Sequence, residues 1–274
     1  MKKICLLVLL SAISFSFKGK ELTWVAIGDS ITYLNEHTNE TDNRVTKGYM
    51  TRVVEKLPQI HYINQGHNGW TSGAYAKNID NLSIQKADIY TVFLGTNDWW
   101  ASRPIGSFQD YQNNTGNNSI FGSFRIIINK LRALNPDATL ILITPMQRTD
   151  FVYINSAKNN AYGSYKSKSE QSLEQVSQAV VTIGRYEHVK VIDLYHEKSM
   201  QIKHLVRYKR LKDPNTGSYK NYTYPHYIDI PFNPDTDEYP YPVSAGNITY
   251  DGLHPTDKGF DIIADKLIKV FKKL

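Results

Sequence analysis

The sequence has a single cysteine, Cys5, which lies in the apolar segment at the start of the chain. The rest of the chain therefore has no disulfide, no thiolate metal site and no cysteine nucleophile. The eight histidines form no closely spaced cluster with carboxylates, so we expect no metal site. Glycine fingerprints of phosphate loops and dinucleotide sites are also missing. We therefore expect no cofactor.

Long hydrophobic runs are lacking as well. The run from Ile4 to Phe17 has 14 residues, fewer than the roughly 20 that span a bilayer as a helix. It follows the basic start Met1-Lys2-Lys3, which is typical of a secretory signal peptide over residues 1–17. An uncleaved anchor is the alternative. A cysteine-free exported protein of this size fits a bacterial periplasm or medium, and we expect no stable membrane insertion after cleavage.

Excess charge is small. The net charge is +6, and it falls to +4 when Lys2 and Lys3 leave with the predicted signal peptide. The basic residues are spread along the chain rather than clustered. This pattern argues against nucleic acid as a partner.

Strand and helix patterns alternate along the rest of the chain. Short apolar segments predict five strands, over Thr23–Gly28, His61–Asn64, Ala87–Leu94, Thr139–Thr144 and Val189–Leu194. Helical periodicity predicts helices over Ile120–Leu134 and Ser167–Tyr186, and a last helix capped by Thr256. Near-continuous apolar strands separated by helices indicate a parallel sheet covered on both faces. The predicted fold is a three-layer α/β/α sandwich with a five-stranded parallel sheet.

Polar, glycine-bearing turns follow these strands. Ligands bind beyond the carboxyl ends of the strands in such sheets. Ser30, after the first strand, is a candidate nucleophile. His254, just before the last helix, is a candidate base, and Asp251 lies three residues before it. At that spacing a carboxylate can bind one imidazole nitrogen while the other faces the serine.

An acyl-transfer site also needs donors for the developing oxyanion. Candidate donors are the backbone N–H groups of Ser30 and Gly66 and the side-chain amide of Asn97. Each turn taken alone is also explained as an ordinary turn or helix cap. The four turns together, at the ends of successive strands, favour the catalytic interpretation.

With these four motifs the chain resembles the SGNH hydrolases, also called GDSL-type esterases and lipases. The motifs are Gly28-Asp29-Ser30, Asn64-x-Gly66-x-x-Gly69-x-Thr71, Gly95-x-Asn97-Asp98 and Asp251-x-x-His254-Pro255. The resemblance implies a flavodoxin-like fold, no cofactor, and ester hydrolysis through an acyl-serine. It also implies Ser30 as nucleophile, His254 as base, Asp251 as its partner, and Ser30, Gly66 and Asn97 as the oxyanion hole.

Residues 18–274 are expected to form one domain, because motifs near both ends must meet in one crevice. An insertion of about residues 196–247 holds seven tyrosines, which either stack on substrate or pack the insertion onto the core. The segment Trp99–Ser119 is a second candidate pocket wall, in which Arg103 either steers an anionic substrate or is a solvated charge. We regard Asp29, Trp99 and Trp100 as candidate substrate contacts.

The sequence thus predicts an exported serine esterase that removes short acyl groups, above all acetyl, from a small-molecule or glycan ester. The absence of a long apolar lid near the motifs favours this substrate over long-chain lipid. A lysophospholipase or thioesterase with a longer acyl preference is one alternative. A non-catalytic carbohydrate-binding module on the same fold is another. The sequence does not indicate an oligomeric state.

Overall fold

A computed structural model of the protein describes residues 20–274. The predicted signal peptide, residues 1–17, lies outside the described residues and stays a prediction. Within the described part, no helix is long and apolar enough to cross a membrane.

Five of the strands form one sheet. In chain order the strands are β1 (Leu22–Gly28), β2 (Ile60–Gly66), β3 (Ile89–Phe93), β4 (Thr139–Ile143), β5 (Phe151–Val152), β6 (Asn160–Ala161), β7 (Lys190–Ile192), β8 (Lys209–Lys212) and β9 (Tyr219–Tyr222). The central sheet is parallel, in the order β2-β1-β3-β4-β7. The chain moves from β1 to one side and then returns to the other side, which places a topological switch point between β1 and β3. The predicted flavodoxin-like α/β fold is confirmed.

Helices cover both faces of this sheet. They are α1 (Ser30–Tyr33), α2 (Tyr49–Lys56), α3 (Ser72–Asn78), α4 (Thr96–Trp100), α5 (Phe108–Asn113), α6 (Ile120–Leu134), α7 (Leu173–Tyr186), α8 (Ile202–Leu205) and α9 (Asp257–Phe271). Helices α2 and α9 pack on one face, and α3, α6 and α7 pack on the other. The sheet is therefore the middle of three layers.

Alternate residues of each strand point to opposite faces, which divides the core in two. In β1, Trp24 and Ala26 lie in the core beneath α2 and α9. Val25 and Ile27 lie in the core beneath α3, α6 and α7. All four are fully buried, so this strand is apolar on both faces, as the sequence pattern indicated.

The structure shortens one predicted helix. Helix α7 begins at Leu173 rather than near Ser167, because Ser172 caps it: its hydroxyl accepts the N–H of Gln175, and the Gln175 side chain accepts the N–H of Ser172. Lys168 and Gln171 pair with each other just before the cap, which closes the chain in a turn. Helix α6 has the predicted bounds, and Thr256 caps α9 as predicted, accepting the N–H of Gly259.

The predicted insertion at 196–247 contains secondary structure of its own. Strands β8 and β9 form an antiparallel hairpin, and the surrounding chain packs into a small separate core with Val152 of β5. Tyr227 and Tyr241 are fully buried in that core. For these two tyrosines the packing alternative is the one that the structure supports.

Candidate active site

Ser30 lies where β1 passes directly into α1. Asp29 caps this short helix, its Oδ1 accepting the Ile31 N–H at 3.1 Å. The residue before this turn, Gly28, has to be a glycine, because a Cβ there would lie 1.9 Å from Oγ1 of Thr32. The sharp strand-to-helix turn therefore holds the Ser30 side chain at the carboxyl edge of the sheet, beside the switch point.

The structure brings Ser30, His254 and Asp251 together. Oγ of Ser30 lies 2.9 Å from Nε2 of His254, and Nδ1 of His254 lies 2.6 Å from Oδ2 of Asp251. The second carboxylate oxygen, Oδ1, accepts the backbone N–H groups of Leu253 and His254. Because this carboxylate is fixed at both oxygens, it holds the imidazole with its proton on Nδ1 and its free nitrogen toward the serine.

Aromatic rings enclose the imidazole of His254. Phe151 meets it edge-on with ring centroids 5.5 Å apart, and Tyr250 stacks beside it at 5.9 Å. Burial disfavours the protonated ring, but the Asp251 carboxylate more than offsets this effect, so the pKa of His254 is raised above 6.5. The ionised Asp29 also raises this pKa, while Arg148 lowers it.

Two groups beside Ser30 can donate to an oxyanion. The Asn97 side chain lines the cavity, and one of its amide N–H bonds goes to the carbonyl of Trp70 at 3.0 Å. Its second N–H is left for a ligand. Gly69 also lines the cavity at φ +75°, and its N–H takes part in none of the hydrogen bonds among residues 20–274.

The structure corrects the prediction that Gly66 is an oxyanion donor. The Gly66 N–H donates to Oδ1 of Asn64 at 2.8 Å, and Gly66 is not part of the cavity wall. This glycine is instead required for packing, because a Cβ there would lie 2.2 Å from the Tyr33 nitrogen. The donor that the second motif offers is Gly69, three residues further on.

A buried carboxylate ties the two donor loops together. Asp98 is fully buried, and it accepts the N–H and the hydroxyl of Ser72 at 2.8 and 2.7 Å. Burial raises the pKa of Asp98. Nε of Arg103 lies 3.3 Å from Oδ1 of Asp98. Arg103 is therefore an internal ion-pair partner, and neither of its two predicted roles fits this position.

The cavity above Ser30 has a volume of about 290 Å³. Besides Ser30 and His254 it is lined by Asn68, Gly69, Asn97, Trp100, Arg148, Phe151, Tyr153, Asn159, Ala161 and Leu253. Trp100 thus lies where the sequence analysis placed it. Much of the remaining wall comes from the segment between β4 and α7, which the sequence analysis missed because it has no periodicity and no recognisable motif.

Two other candidate substrate contacts lie away from the cavity surface. Trp99 is 1% exposed and its indole N–H donates to the carbonyl of Gln171 at 2.9 Å. Asp29 is 2% exposed, and burial raises its pKa to about 6. The prediction that they touch substrate is therefore corrected: Trp99 supports the wall from behind, and Asp29 lies beneath the nucleophile.

The tyrosines of the insertion do not line the cavity either. Tyr241 donates its hydroxyl hydrogen bond to the carbonyl of Asp150, and Tyr239 donates to the carbonyl of Val152 at 2.9 Å. They hold the chain on both sides of Phe151, which is itself part of the cavity wall. The insertion therefore supports the cavity wall from outside.

Within residues 20–274, no group of three or more His, Cys, Asp or Glu side chains is arranged to hold a metal ion. The groups gathered around Ser30 are those of nucleophilic acyl transfer: a hydroxyl, an imidazole with its carboxylate, and nearby N–H donors.

Comparison with known proteins agrees with this geometry. The GDSL-like lipase/acylhydrolase family matches residues 26–262. A structure described as a possible lipase from Chitinophaga pinensis DSM 2588 is 62% identical, with a TM-score of 0.91 over 92% of this chain and 98% of that one.

More distant structures share the fold. A protein from Lactobacillus plantarum is 18% identical, with a TM-score of 0.61 over 93% of this chain and 98% of that one. An acetyl xylan esterase is also 18% identical, with a TM-score of 0.53 over 90% and 98%. No curated protein matches the chain. The family match covers most of the sequence, and the chain therefore belongs to the GDSL-like lipase/acylhydrolase family and is a hydrolase of ester bonds.

Proposed function

We propose that the protein removes short acyl groups, above all acetyl, from a carbohydrate, with Ser30 as the nucleophile. The observation that carries the ester-hydrolysis part of this proposal is the continuous hydrogen-bonded chain from Asp251 through His254 to Ser30 at the floor of the cavity. In this mechanism His254 takes the serine proton as Oγ attacks the ester carbon, and the Asp251 carboxylate stabilises the imidazolium.

The negative charge that develops on the carbonyl oxygen needs donors in place. The N–H groups of Ser30 and Gly69 and the free amide N–H of Asn97 supply them. The tetrahedral intermediate then collapses, and the sugar oxygen leaves with the proton from His254, so that the acyl group stays on Ser30. In the second half of the reaction His254 takes a proton from water as the water attacks the acyl carbon. It then returns that proton to Ser30 Oγ, which leaves, and the acid is released.

The size and polarity of the cavity support a short acyl group on a polar carrier. A volume of about 290 Å³ is at the lower end of small-molecule sites. Asn68, Asn97, Asn159 and Arg148 give the wall several hydrogen-bonding groups, while Trp100 and Tyr153 offer rings on which a sugar can stack. The fold shared with an acetyl xylan esterase is consistent with this substrate class.

The second candidate is hydrolysis of a longer acyl ester, as in a lysophospholipase or thioesterase. The description of the Chitinophaga pinensis neighbour as a possible lipase favours it. Chain-length preference separates the two: acetate release from acetylated polysaccharides is measured beside p-nitrophenyl esters of two to eight carbons. Faster turnover of octanoyl than acetyl esters, with no acetate from any glycan, would reject the acetyl proposal.

The assignment of Ser30 is tested separately. Wild-type protein is expected to react with a fluorophosphonate probe, and S30A is expected to lose both labelling and hydrolysis while keeping its circular dichroism spectrum. A wild-type protein that stays unlabelled would overturn the serine mechanism and leave the non-catalytic alternative. We also propose export through the N-terminal segment, which a shortened chain in the secreted fraction would support.

A further inference from the structure

Arg148 is a buried cation on the wall of the cavity. Its residue is 1% exposed, yet it lines the cavity together with Ser30 and His254. Among residues 20–274, no carboxylate oxygen lies within 4.0 Å of its guanidinium. A buried charge without a direct ion-pair partner destabilises the fold, so a functional role would explain an arginine at this position.

The nearby carboxylates are already paired with other groups. Asp150 binds Nζ of Lys209 at 2.8 Å, and Asp251 binds His254. Arg148 therefore has no direct ion-pair partner among the described residues, although the charges of Asp150 and Asp251 act on it at longer range. Burial lowers its pKa to about 10, so the guanidinium is still charged near neutral pH.

The guanidinium is also held in place with most of its donors unused. Its Cζ lies 5.0 Å from the ring centroid of Trp99 and 4.9 Å from that of Trp100. Nη2 donates to the carbonyl of Tyr162 at 2.9 Å, and the buried Nε has no partner within the described residues. An arginine has five N–H donors in a fixed fork, a shape that matches a carboxylate.

We propose that Arg148 selects esters whose alcohol part carries a carboxylate, as in an O-acylated acidic sugar. This inference rests on the proposed function, because a short acyl group such as acetyl has no charge and the carboxylate must then belong to the alcohol. The substrate carboxylate becomes the direct ion-pair partner that the described residues do not give to Arg148. Arg148 is thus a specificity-determining residue, and the bond-breaking groups remain those around Ser30.

The kinetic test compares two matched substrates, 4-acetoxybenzoate and its neutral amide, 4-acetoxybenzamide. Wild-type protein is expected to prefer the carboxylate by about 10- to 100-fold in kcat/KM, the usual range for a charge-assisted hydrogen bond. R148M keeps an unbranched side chain against Trp99 and Trp100 and is expected to lose the preference, mainly through KM. R148K keeps the positive charge but not the two parallel N–H donors of the guanidinium, and it is expected to retain part of the preference for the carboxylate.

Lys168 provides the matched control. Its Nζ lies 3.9 Å from the Trp100 ring centroid, but the residue is not part of the cavity wall. K168M removes a positive charge from the same tryptophan and is expected to keep the wild-type preference. Equal loss of preference in K168M and R148M would show a general charge effect and overturn the assignment to Arg148.

A binding measurement separates this inference from the proposed function. Calorimetric titration of wild-type protein and R148M with a methyl glucuronoside and a methyl glucoside does not depend on turnover. Preferential binding of the glucuronoside by wild type alone supports the inference even if no acetate is released. Equal binding of both sugars by wild type rejects it, while acetyl ester hydrolysis would leave the proposed function standing.

Discussion

The backbone carbonyl of Asp251 accepts a hydrogen bond from the N–H of Val152 at 3.1 Å. A second bond, from the N–H of Thr149 to the carbonyl of Gly252, is 3.0 Å long. The turn that carries Asp251 and His254 is therefore paired, through main-chain atoms, with the segment that forms the cavity wall. Gly252 is required there, since its φ is +92° and a Cβ would lie 2.1 Å from the Asp150 carbonyl oxygen.

This pairing predicts that the insertion affects catalysis without touching substrate. Y241F removes the hydroxyl that binds the carbonyl of Asp150 and leaves that part-buried group without this donor, so we expect a loss of about 1–2 kcal/mol in the free energy of unfolding. We also expect a lower kcat, because the wall beside His254 loosens. Urea unfolding and steady-state kinetics measure both. Y208F, which removes an exposed tyrosine–serine hydrogen bond of the same insertion, should leave both quantities close to wild type.

The two asparagines of the second and third motifs should behave differently. N97A removes an oxyanion donor, and we expect kcat to fall by about 100- to 1000-fold with little change in KM. N64A removes the acceptor for the Gly66 N–H, which does not face the cavity, and we expect kcat within about threefold of wild type. A large loss of kcat in N64A with intact folding would contradict this description of the second motif.

The pH dependence of kcat/KM should follow His254. Because the active base is the neutral imidazole and its pKa is raised, activity should fall as the pH drops through a value above 6.5. D29N keeps the oxygen that caps α1 but removes a carboxylate that raises this pKa, so the acidic limb should move to lower pH. R148M removes a charge that lowers the pKa, so its limb should move to higher pH. Shifts in the reverse directions would contradict the electrostatic description of the site.

The ion pair between Lys209 and Asp150 should stabilise the fold. Its nitrogen and oxygen are 2.8 Å apart, and the two side chains are only 3% and 14% exposed. K209M leaves a buried carboxylate without its partner, and we expect a loss of about 3–5 kcal/mol in the free energy of unfolding. The double variant K209M/D150N should recover part of that loss. K158M, which breaks the exposed pair with Asp235, should cost less than about 1 kcal/mol in urea unfolding.

Much of the fold could be predicted from sequence periodicity. The apolar face of Ile120–Leu134 fixed the bounds of α6, and the apolar strands indicated a covered parallel sheet. Helices α2 and α3 were missed; α3 has only seven residues and gives little periodic signal. The start of α7 was misplaced because its cap at Ser172 lies inside a run of polar residues without periodicity.

The candidate site was predictable where a motif fixes local geometry. Asp251 and His254 are three residues apart on one turn, and their contact follows from that spacing. The second motif offered several glycines, and the choice between Gly66 and Gly69 depended on where each N–H points, which spacing does not determine. Arg148 was missed since its position depends on Trp99 and Trp100, which are distant in the sequence, and on Tyr162, which belongs to no motif.

The hydrogen bonds that Thr149 and Val152 donate to the Asp251–Gly252 turn join only backbone atoms. Substitution of side chains in this part of the wall therefore does not remove them directly. Arg148, Phe151, Tyr153 and Asn159 lie in one short stretch of this segment and line the cavity, whereas the groups proposed to break the ester come from other loops. Much of the cavity wall and the groups proposed to break the ester thus come from separate parts of the chain. Variation within this stretch can therefore reshape the cavity wall while Ser30, Asp251 and His254 themselves stay unchanged.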